Sequence, residues 1–382
     1  MAGIYLHIPF CKQACHYCDF HFSTSLKKKE LLISCLEKEL VMRNTELKDE
    51  SVTTIYFGGG TPSLLSVSEI KSILEKIQKY YHVTDTAEIT LEANPDDLSR
   101  ETLQKLATSK VNRLSIGVQS FFDEDLQVMN RAHSAKEALE SLKLATKLFD
   151  NVTIDLIYGI PKMSKKRWKE NLQYAFDLNI NHISSYALTV EPKTALATFV
   201  KNGSYPNTNE DETKAHFDIL VEETKKNGFV HYEISNFGKP GFFSKHNTSY
   251  WQGKRYIGIG PSAHSFNKTH RSWNLASNPK YIKAIQENQL PFEIEKLTKK
   301  DQFNEYLMTG LRTIWGVSLH KIKKEFGTKI ENELLVNSKK YIENGLLQME
   351  YISEEEAKSS CLKTTEKGKF LADGIASDLF II

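Results

Sequence analysis

Apolar and polar residues in the first half of the chain follow two alternating periods. Short runs rich in β-branched and aromatic residues predict strands, and the segments between them place apolar residues on one helical face. The predicted strands cover residues 3–7, 53–58, 88–93, 113–119, 153–158 and 182–188. The predicted helices cover residues 28–42, 66–80, 99–108, 135–149 and 165–177. Ser66 and Ser99 are suitable N-caps, and Glu69 would complete a capping box with Ser66.

Strands and helices that alternate at this spacing predict right-handed βαβ units and a parallel sheet. Six units are too few for a complete eight-stranded barrel, so we expect an α/β fold built on a partial (β/α)6 barrel. The segments that follow or finish these strands are the cysteine loop, GGGTPS, EANP, GVQSF and DLIYG. Because the chemistry of such folds lies at the carboxyl ends of the strands, these segments should converge on one face.

After residue 189 the pattern loosens and the chain becomes harder to divide into elements. From about residue 278 it turns helical and charged. The elements predicted here are a helix near 211–226, a loop over 239–254, a strand pair around 346–353 and 361–365, and a helix over 368–379. The last of these elements predict a small, helical, winged-helix-like domain.

These patterns divide the chain into three parts. Residues 1–190 should form the barrel with its cysteine loop, and residues 191–277 an extension of it. Residues 278–382 should form the helical C-terminal domain.

The bulk composition narrows the class of protein. Among 382 residues, 50 Lys and Arg balance 48 Asp and Glu, and a formal charge of +2 gives no support to nucleic acid as the main partner. No apolar run approaches the roughly 18 residues that span a bilayer, and MAGIYLHIPF lacks the regions of a signal peptide. Five cysteines, three of them clustered, suit a reducing compartment. We expect a cytoplasmic protein.

The clustered cysteines are the strongest chemical signal. Cys11, Cys15 and Cys18 have C-x3-C-x2-C spacing, while Cys35 and Cys361 are distant and are expected to be structural. A zinc site normally takes four protein ligands, and a redox dithiol needs only two cysteines. An iron–sulfur cube held by three thiolates leaves one iron with open coordination, which suits this spacing best, although zinc and a dithiol remain alternatives.

Polar residues at or near later strand ends form a second group of candidates. The Gly-Gly-Gly-Thr-Pro turn at 58–62 lets backbone groups approach a ligand, and no GK[ST] follows that would make it a phosphate-binding P-loop. Glu92 and Gln119 end predicted strands, and Arg131 offers a guanidinium to a carboxylate. Asp155 lies inside an apolar strand and must face a polar cavity or a partner. Any one of them alone could be an ordinary surface or loop residue.

Together, HIPFC, HYCDF and the cysteine spacing resemble the radical S-adenosylmethionine superfamily. Within it, the chain is similar over nearly its whole length to the branch that contains the oxygen-independent coproporphyrinogen III oxidases and related haem chaperones. The resemblance implies a [4Fe–4S] cluster on the three cysteines and S-adenosylmethionine on its open iron. The residues that it places at the S-adenosylmethionine are Tyr5, Tyr17, Gly59, Gly60, Thr61, Glu92, Gln119, Arg131, Asp155 and Ala187.

Two features indicate which member of the branch the chain resembles. The oxidases carry a fourth cysteine where this chain has Phe20, and a longer region before the first strand, so oxidase activity is in doubt. The segment from His246 to Trp251, HNTSYW, matches the HNxxYW pattern of the haem chaperones. We expect His246, in an accessible loop, to bind haem, while His264 and Trp273 could contribute or belong to the core.

The expected function is therefore a haem chaperone that delivers haem to acceptor apoproteins, which can include acceptors at the membrane surface. No catalytic residue is assigned, and coproporphyrinogen oxidation is not expected. The nearest alternative is an oxygen-independent coproporphyrinogen III oxidase-like enzyme. Another alternative is a nucleic-acid-binding protein that uses the C-terminal domain, but segments 295–306 and 351–360 carry mixed charges without a basic face.

Overall fold

The computed structural model describes residues 1–351 and 360–381. Its strands are β1 (Ala2–Ile8), β2 (Val52–Gly59), β3 (Val83–Ala93), β4 (Arg113–Gln119), β5 (Val152–Tyr158), β6 (His182–Ala187), β7 (Val230–Glu233), β8 (Asn236–Gly238), β9 (Arg255–Ile259), β10 (His264–Phe266), β11 (His270–Asn274), β12 (Phe292–Lys296), β13 (Val317–Ser318), β14 (Leu347–Tyr351) and β15 (Ser360–Thr364).

The helices alternate with the first strands and dominate the C-terminal part. They are α1 (Lys29–Met42), α2 (Val67–Tyr80), α3 (Arg100–Ala107), α4 (Asp123–Val128), α5 (Ala135–Leu148), α6 (Lys165–Asp177), α7 (Ala195–Lys201), α8 (Glu210–Lys226), α9 (Lys245–Trp251), α10 (Asn278–Gln286), α11 (Lys299–Leu311), α12 (Leu319–Phe326), α13 (Thr328–Glu343), α14 (Glu366–Lys369) and α15 (Ala372–Asp378). The expected capping box is present, since Ser66 accepts from the Glu69 N–H and Glu69 from the Ser66 N–H.

A 12-stranded sheet in the order β12-β11-β10-β9-β1-β2-β3-β4-β5-β6-β8-β7 forms the body of the protein. Strands β1 to β6 are parallel neighbours, and β9 adds a further parallel strand beside β1. The edges continue as antiparallel hairpins. The α/β fold with a partial (β/α)6 barrel is therefore confirmed.

The barrel and the C-terminal domain have separate apolar cores. The first core covers the barrel strands and their helices and extends to Tyr281, Ile282 and Ile285 of α10. The second core runs from Phe303 to Leu379. Because α10 packs on the barrel core, the change between cores lies after α10 and not at residue 278. The three-part division itself remains a prediction.

The C-terminal domain has the winged-helix-like order α11-β13-α12-α13-β14-β15, with its strands arranged β13-β15-β14. The predicted strand pair is present as β14 and β15, although residues 352 and 353 of the first strand lie outside the described residues. The single helix predicted over 368–379 is instead the two short helices α14 and α15. In the described part of the chain, no helix combines the length and apolarity needed to cross a bilayer.

The loop predicted over 239–254 is wrong in its second half, where α9 forms. Ser244 caps this helix by accepting from the Asn247 N–H. Glu88 of β3 accepts from the N–H groups of Lys245 and His246, so a carboxylate lies at the positive end of the helix. Seven residues are too few to show a helical period in the sequence, and tertiary contacts supply the missing stability.

Candidate metal and cofactor site

The cysteine loop runs from the end of β1 across the carboxyl end of the barrel. Cys11, Cys15 and Cys18 are all partly exposed, whereas Cys35 and Cys361 are buried. Burial raises the pKa of the Cys18 thiol to about 11 and also raises the pKa of Cys11. Such thiols ionise only when a metal or another positive charge stabilises the thiolate.

The three thiols suit a cluster better than a single ion. Among the residues that the structure describes, no three His, Cys, Asp or Glu side chains converge tightly enough to hold one metal ion. Zinc would need that convergence, because its ligands lie about 2.0–2.3 Å from one centre. In an iron–sulfur cube each thiolate binds a different iron, so its ligands stand further apart.

The segment after α4 holds the cysteine loop in place. The Asn130 side-chain amide donates to the Ala14 carbonyl at 2.7 Å and accepts from Nε2 of Gln13 at 2.7 Å. At the ends of the loop, the Cys11 N–H donates to the Ser23 carbonyl at 3.1 Å. Asn130 has a left-handed backbone (φ 55°) and directly precedes Arg131. The same short segment therefore anchors the loop and presents the candidate guanidinium.

The glycine turn packs directly against the first cysteine. The Gly60 N–H donates to the Ile8 carbonyl at 2.9 Å, and the Thr61 N–H donates to the Phe10 carbonyl at 2.6 Å. A Cβ atom at Gly60 would lie 2.6 Å from the Phe10 oxygen, so only glycine permits this approach. The Thr61 hydroxyl lies 3.5 Å from Sγ of Cys11. The turn thus positions the cysteine loop.

Arg131 connects the cysteine loop to two strand ends. Its Nη1 lies 3.2 Å from Sγ of Cys15, and its Nη2 donates to Oδ1 of Asn94 at 2.7 Å and to the Gly117 carbonyl at 2.8 Å. Asn94 in turn lies 3.4 Å from the Thr61 hydroxyl. The guanidinium therefore places a positive charge beside the Cys15 sulfur. The sequence analysis did not single out Asn94, although it lies within the EANP motif.

Glu92 lies at the end of β3 and is partly buried. It accepts from the Tyr56 hydroxyl at 2.7 Å and from the Gly59 N–H. Burial raises the pKa of this carboxyl to about 7, against the lowering effect of the Tyr56 hydrogen bond. Tyr56 is a second residue that sequence reasoning missed. The alternation of strand TTIYF shows only which residues share a face. It does not tell whether Tyr56 faces the polar barrel interior or the apolar core.

Asp155 lies in the middle of β5 and not at its end. Burial raises the pKa of its carboxyl to about 6, while a hydrogen bond from Ser184, its neighbour in β6, lowers it. The charges of Arg113 and Arg131 also lower the pKa, so Asp155 faces the polar interior that the sequence required. The side chain thus shares the barrel interior with Glu92, whose pKa its charge raises.

The remaining candidates border the same interior. Tyr5 lies beside Tyr56 across the β1–β2 pair, and its hydroxyl is 3.2 Å from Nδ1 of His7. Burial raises the pKa of Tyr17, and the nearby charge of Arg131 lowers it by a smaller amount. Gln119 ends β4 with a left-handed backbone (φ 66°), which a non-glycine residue adopts only under constraint. Ala187 ends β6.

His246 does not join this group. It is 1% exposed, and its ring lies at the amino-terminal end of the barrel, where Nδ1 is 2.8 Å from Oγ1 of Thr54. Its Nε2 is 2.7 Å from the Tyr250 hydroxyl, so both ring nitrogens have partners. Burial lowers the pKa of His246 to about 3, which keeps the imidazole neutral. The expectation of an accessible, loop-borne His246 is therefore wrong, because α9 packs inside the barrel.

Comparison with known proteins places these residues in context. The model of the radical SAM superfamily matches residues 5–175, and that of the HemN C-terminal domain matches residues 297–351. The chain is 34% identical over 380 residues to the heme chaperone HemW of Bacillus subtilis, covering 98% of each chain. It is 36% identical over 328 residues to the heme chaperone HemW of Lactococcus lactis, covering 86% of each.

A solved structure shows the same fold. The coproporphyrinogen III oxidase HemN of Escherichia coli, described as a radical SAM enzyme, superposes with a TM-score of 0.84. The match covers 99% of this chain and 90% of the oxidase at 21% sequence identity. At that identity the likeness supports the fold alone.

Proposed function

The chain belongs to the HemW family within the radical S-adenosylmethionine superfamily, and from this we propose that it is a haem chaperone carrying a [4Fe–4S] cluster and S-adenosylmethionine. The observation that carries the proposal is the similarity to HemW of Bacillus subtilis over 98% of both chains. In this proposal the protein acts in the cytoplasm. It binds haem and passes it to acceptor apoproteins.

The cluster would be held by Cys11, Cys15 and Cys18. When bound, it supplies an iron with open coordination that can take the amino and carboxylate groups of S-adenosylmethionine. The chain's contribution is to fix the three thiols on one loop through Asn130 and Thr61. Arg131 adds a positive charge beside Cys15, which favours the thiolate that a cluster requires.

S-adenosylmethionine would lie between the cysteine loop and the strand ends. Glu92 is placed to accept the ribose hydroxyls, and Arg131 to bind the methionine carboxylate. The Gly59 to Thr61 turn would meet the methionine amino group, and Gln119 and Asp155 would line the far side of the pocket. Tyr5, Tyr17 and Ala187 would border the adenosine.

Phe20 supports a carrier over an oxidase. It occupies the position of the oxidases' fourth cysteine, and its side chain is 67% exposed. This position therefore presents an apolar ring to solvent beside the proposed cluster. His246 remains a prediction as a haem ligand, and its burial counts against that role.

The proposal can be tested with the anaerobically reconstituted full chain. Ferric haem is added, unbound haem is removed, and apomyoglobin is supplied as an acceptor whose own spectrum reports transfer. We expect haem to bind and then to pass to apomyoglobin. In a parallel reaction with reductant and S-adenosylmethionine, coproporphyrinogen III should remain unconverted. Formation of vinyl groups in that reaction would favour the oxidase alternative, and an absence of haem binding would contradict the chaperone proposal.

A further inference from the structure

The histidines of the chain differ in whether their ring nitrogens already have partners. Rings such as those of His7, His182 and His246 are hydrogen-bonded through both nitrogens. Among the described residues, the rings that make no hydrogen bond are those of His82, His264 and His320. An axial ligand of iron needs a free, neutral imidazole nitrogen that a macrocycle can reach.

Of those three histidines, His264 is the one packed against an aromatic ring. It is exposed and faces Trp273 directly across the β10–β11 pair, with ring centroids 6.0 Å apart and a 32° tilt. Phe266, two residues further, projects from the same side of β10, and its ring lies 6.2 Å from that of Tyr256. A free imidazole therefore stands at the end of a row of aromatic side chains, which is the surface that a porphyrin ring would cover.

The backbone fixes His264 at this place. Gly258 of β9 lies so close under β10 that a Cβ atom there would be 2.1 Å from the His264 carbonyl oxygen. At Gly258 the inner side of β9 has no side chain, so β10 can cross it there. The charge of His264 also contributes to the low pKa of His7, although burial is the main cause, so the His264 ring lies near the carboxyl end of β1.

The outer end of the same hairpin carries charges of both signs, since Glu293 and Glu295 of β12 face Trp273 and Arg271. Arg271 faces Phe266 across the strand pair. Its Nη2 forms an ion pair with Oε1 of Glu305 at 3.0 Å. Lys268 lies in the hairpin turn. Burial lowers the pKa of Lys321, and the charges of Lys254 and Lys268 lower it further, so the three lysines lie near one another. A haem carries two propionates, and cations at the edge of an aromatic surface are the groups that would bind them.

We propose that an iron porphyrin binds on the inner face of the β10–β11 hairpin, with His264 as its axial ligand. Trp273 and Phe266 would cover the macrocycle, and Arg271 with the neighbouring lysines would meet its carboxylates. This inference rests on the proposed haem-carrying function and assigns a binding surface to the haem. It also moves the haem from the buried His246 to a residue that solvent reaches.

The experiment titrates ferric haem into the reconstituted full chain and records the Soret band as a difference from the haem-free chain. In His264→Ala the wild-type band should be lost and the affinity should fall at least tenfold. His264→Tyr should still bind haem, but with the spectrum of a phenolate-ligated iron. His82→Ala and His320→Ala, which remove the other two free imidazoles, are the matched controls and should behave as the wild type.

The outcomes separate this inference from the function beneath it. If the wild type binds haem and both His264 variants keep its spectrum and affinity, the assignment is overturned while the chaperone proposal stands. If the wild type binds no haem, both fail together. A phenolate spectrum in His264→Tyr alone would be enough to establish the ligand, even if the alanine variant folded poorly.

Discussion

The two ends of the same barrel differ in how their buried titratable groups are held. At the carboxyl end, the three thiols are partly exposed, and Glu92 and Asp155 have pKa values raised by burial to about 7 and about 6. Both carboxyls face the barrel interior, and the charge of Asp155 raises the pKa of Glu92. Burial without a full set of partners costs free energy, and functional sites are where proteins retain such groups.

At the amino end, two buried histidines are hydrogen-bonded through both ring nitrogens. His182 contacts Thr153 at 2.6 Å and the Tyr232 hydroxyl at 2.7 Å. His246 is held in the same way, and its ring stacks on Tyr56 with centroids 4.9 Å apart. Helix α9 therefore closes this end of the barrel. From this difference we expect the HNxxYW segment to contribute to stability here, and the strand ends to bind the ligand.

The largest effect should come from the cysteines. Replacing Cys11, Cys15 and Cys18 together with serine should abolish the cluster, because serine provides no thiolate for iron. Iron and sulfide analysis of the anaerobically reconstituted protein should fall from about four of each per chain to background. Cys35→Ser and Cys361→Ser are the controls, since both thiols are buried away from the loop. A cluster that survives the triple replacement would refute the assignment.

The amino end should respond in stability instead. His246→Ala removes a buried ring and leaves the hydroxyls of Thr54 and Tyr250 without their partner, so the free energy of unfolding should fall by about 3 kcal/mol. Urea titration measures this change. His320→Ala, at an exposed site in α12, should change it little.

If His246→Ala retains full stability, the comparison between the two ends is wrong. Haem affinity adds a second measurement. A loss of affinity beyond that explained by the unfolded fraction would restore His246 as a ligand. The two histidines can therefore be separated in one set of variants.

Much of the barrel could be predicted because its signals are local. Alternating strand and helix periods located β1 to β6 and their helices, and Ser66 with Glu69 marked the start of α2 correctly. The predicted strand over 53–58 differs from β2 by one residue at each end. Long periodic elements carry their own evidence in the sequence.

The antiparallel extension and α9 could not be predicted in this way. Strand β10 has three residues, and its place depends on Gly258 leaving room and on Trp273 in the facing strand. The cysteine loop of the candidate site could be recognised from its sequence, whereas the contacts around the loop could not. Cysteine spacing is visible in sequence, but the contacts of Asn94 and Tyr56 join residues that are distant along the chain.

A smaller effect should follow from Arg131. The Arg131→Ala variant should bind S-adenosylmethionine about 1.5–3 kcal/mol more weakly, the scale of a hydrogen bond to a charged group. Equilibrium binding to the reconstituted protein measures the change. Because Arg131 also lies 3.2 Å from Cys15, iron content must be determined alongside. Arg167→Ala, at a half-buried ion pair outside the barrel interior, is the control.

Arg131→Ala and Asp155→Ala should be compared directly. If neither changes S-adenosylmethionine binding while iron content stays at the wild-type value, the pocket has been placed wrongly. If binding falls only where iron is lost, Arg131 acts through the cluster and not on the ligand. Either result would sharpen the account of the carboxyl end.

The smallest effect concerns the pH dependence of the chain without its ligands. An unfolded glutamate has a pKa of about 4.3, and burial raises that of Glu92 to about 7. Between these values the folded chain keeps a proton that the unfolded chain has released, so stability falls as the pH rises. The loss in the free energy of unfolding is absent below about pH 4 and complete above about pH 7. Because water reaches the barrel interior, this loss should be limited to about 1–2 kcal/mol.

Urea titrations at a series of pH values can isolate this contribution. The difference in stability between Glu92→Gln and the wild type should grow in favour of the variant from about pH 4.5 to pH 7, because glutamine cannot ionise. Asp155, whose pKa is about 6, acts in the same direction and remains in both proteins, so the difference reports Glu92 together with its coupling to Asp155. Glu101→Gln is the control, since Glu101 is exposed and its pKa is lowered by Lys105. Parallel curves for Glu92→Gln and the wild type would mean that the Glu92 carboxyl is already satisfied, and the two ends of the barrel would then differ less than their geometry indicates.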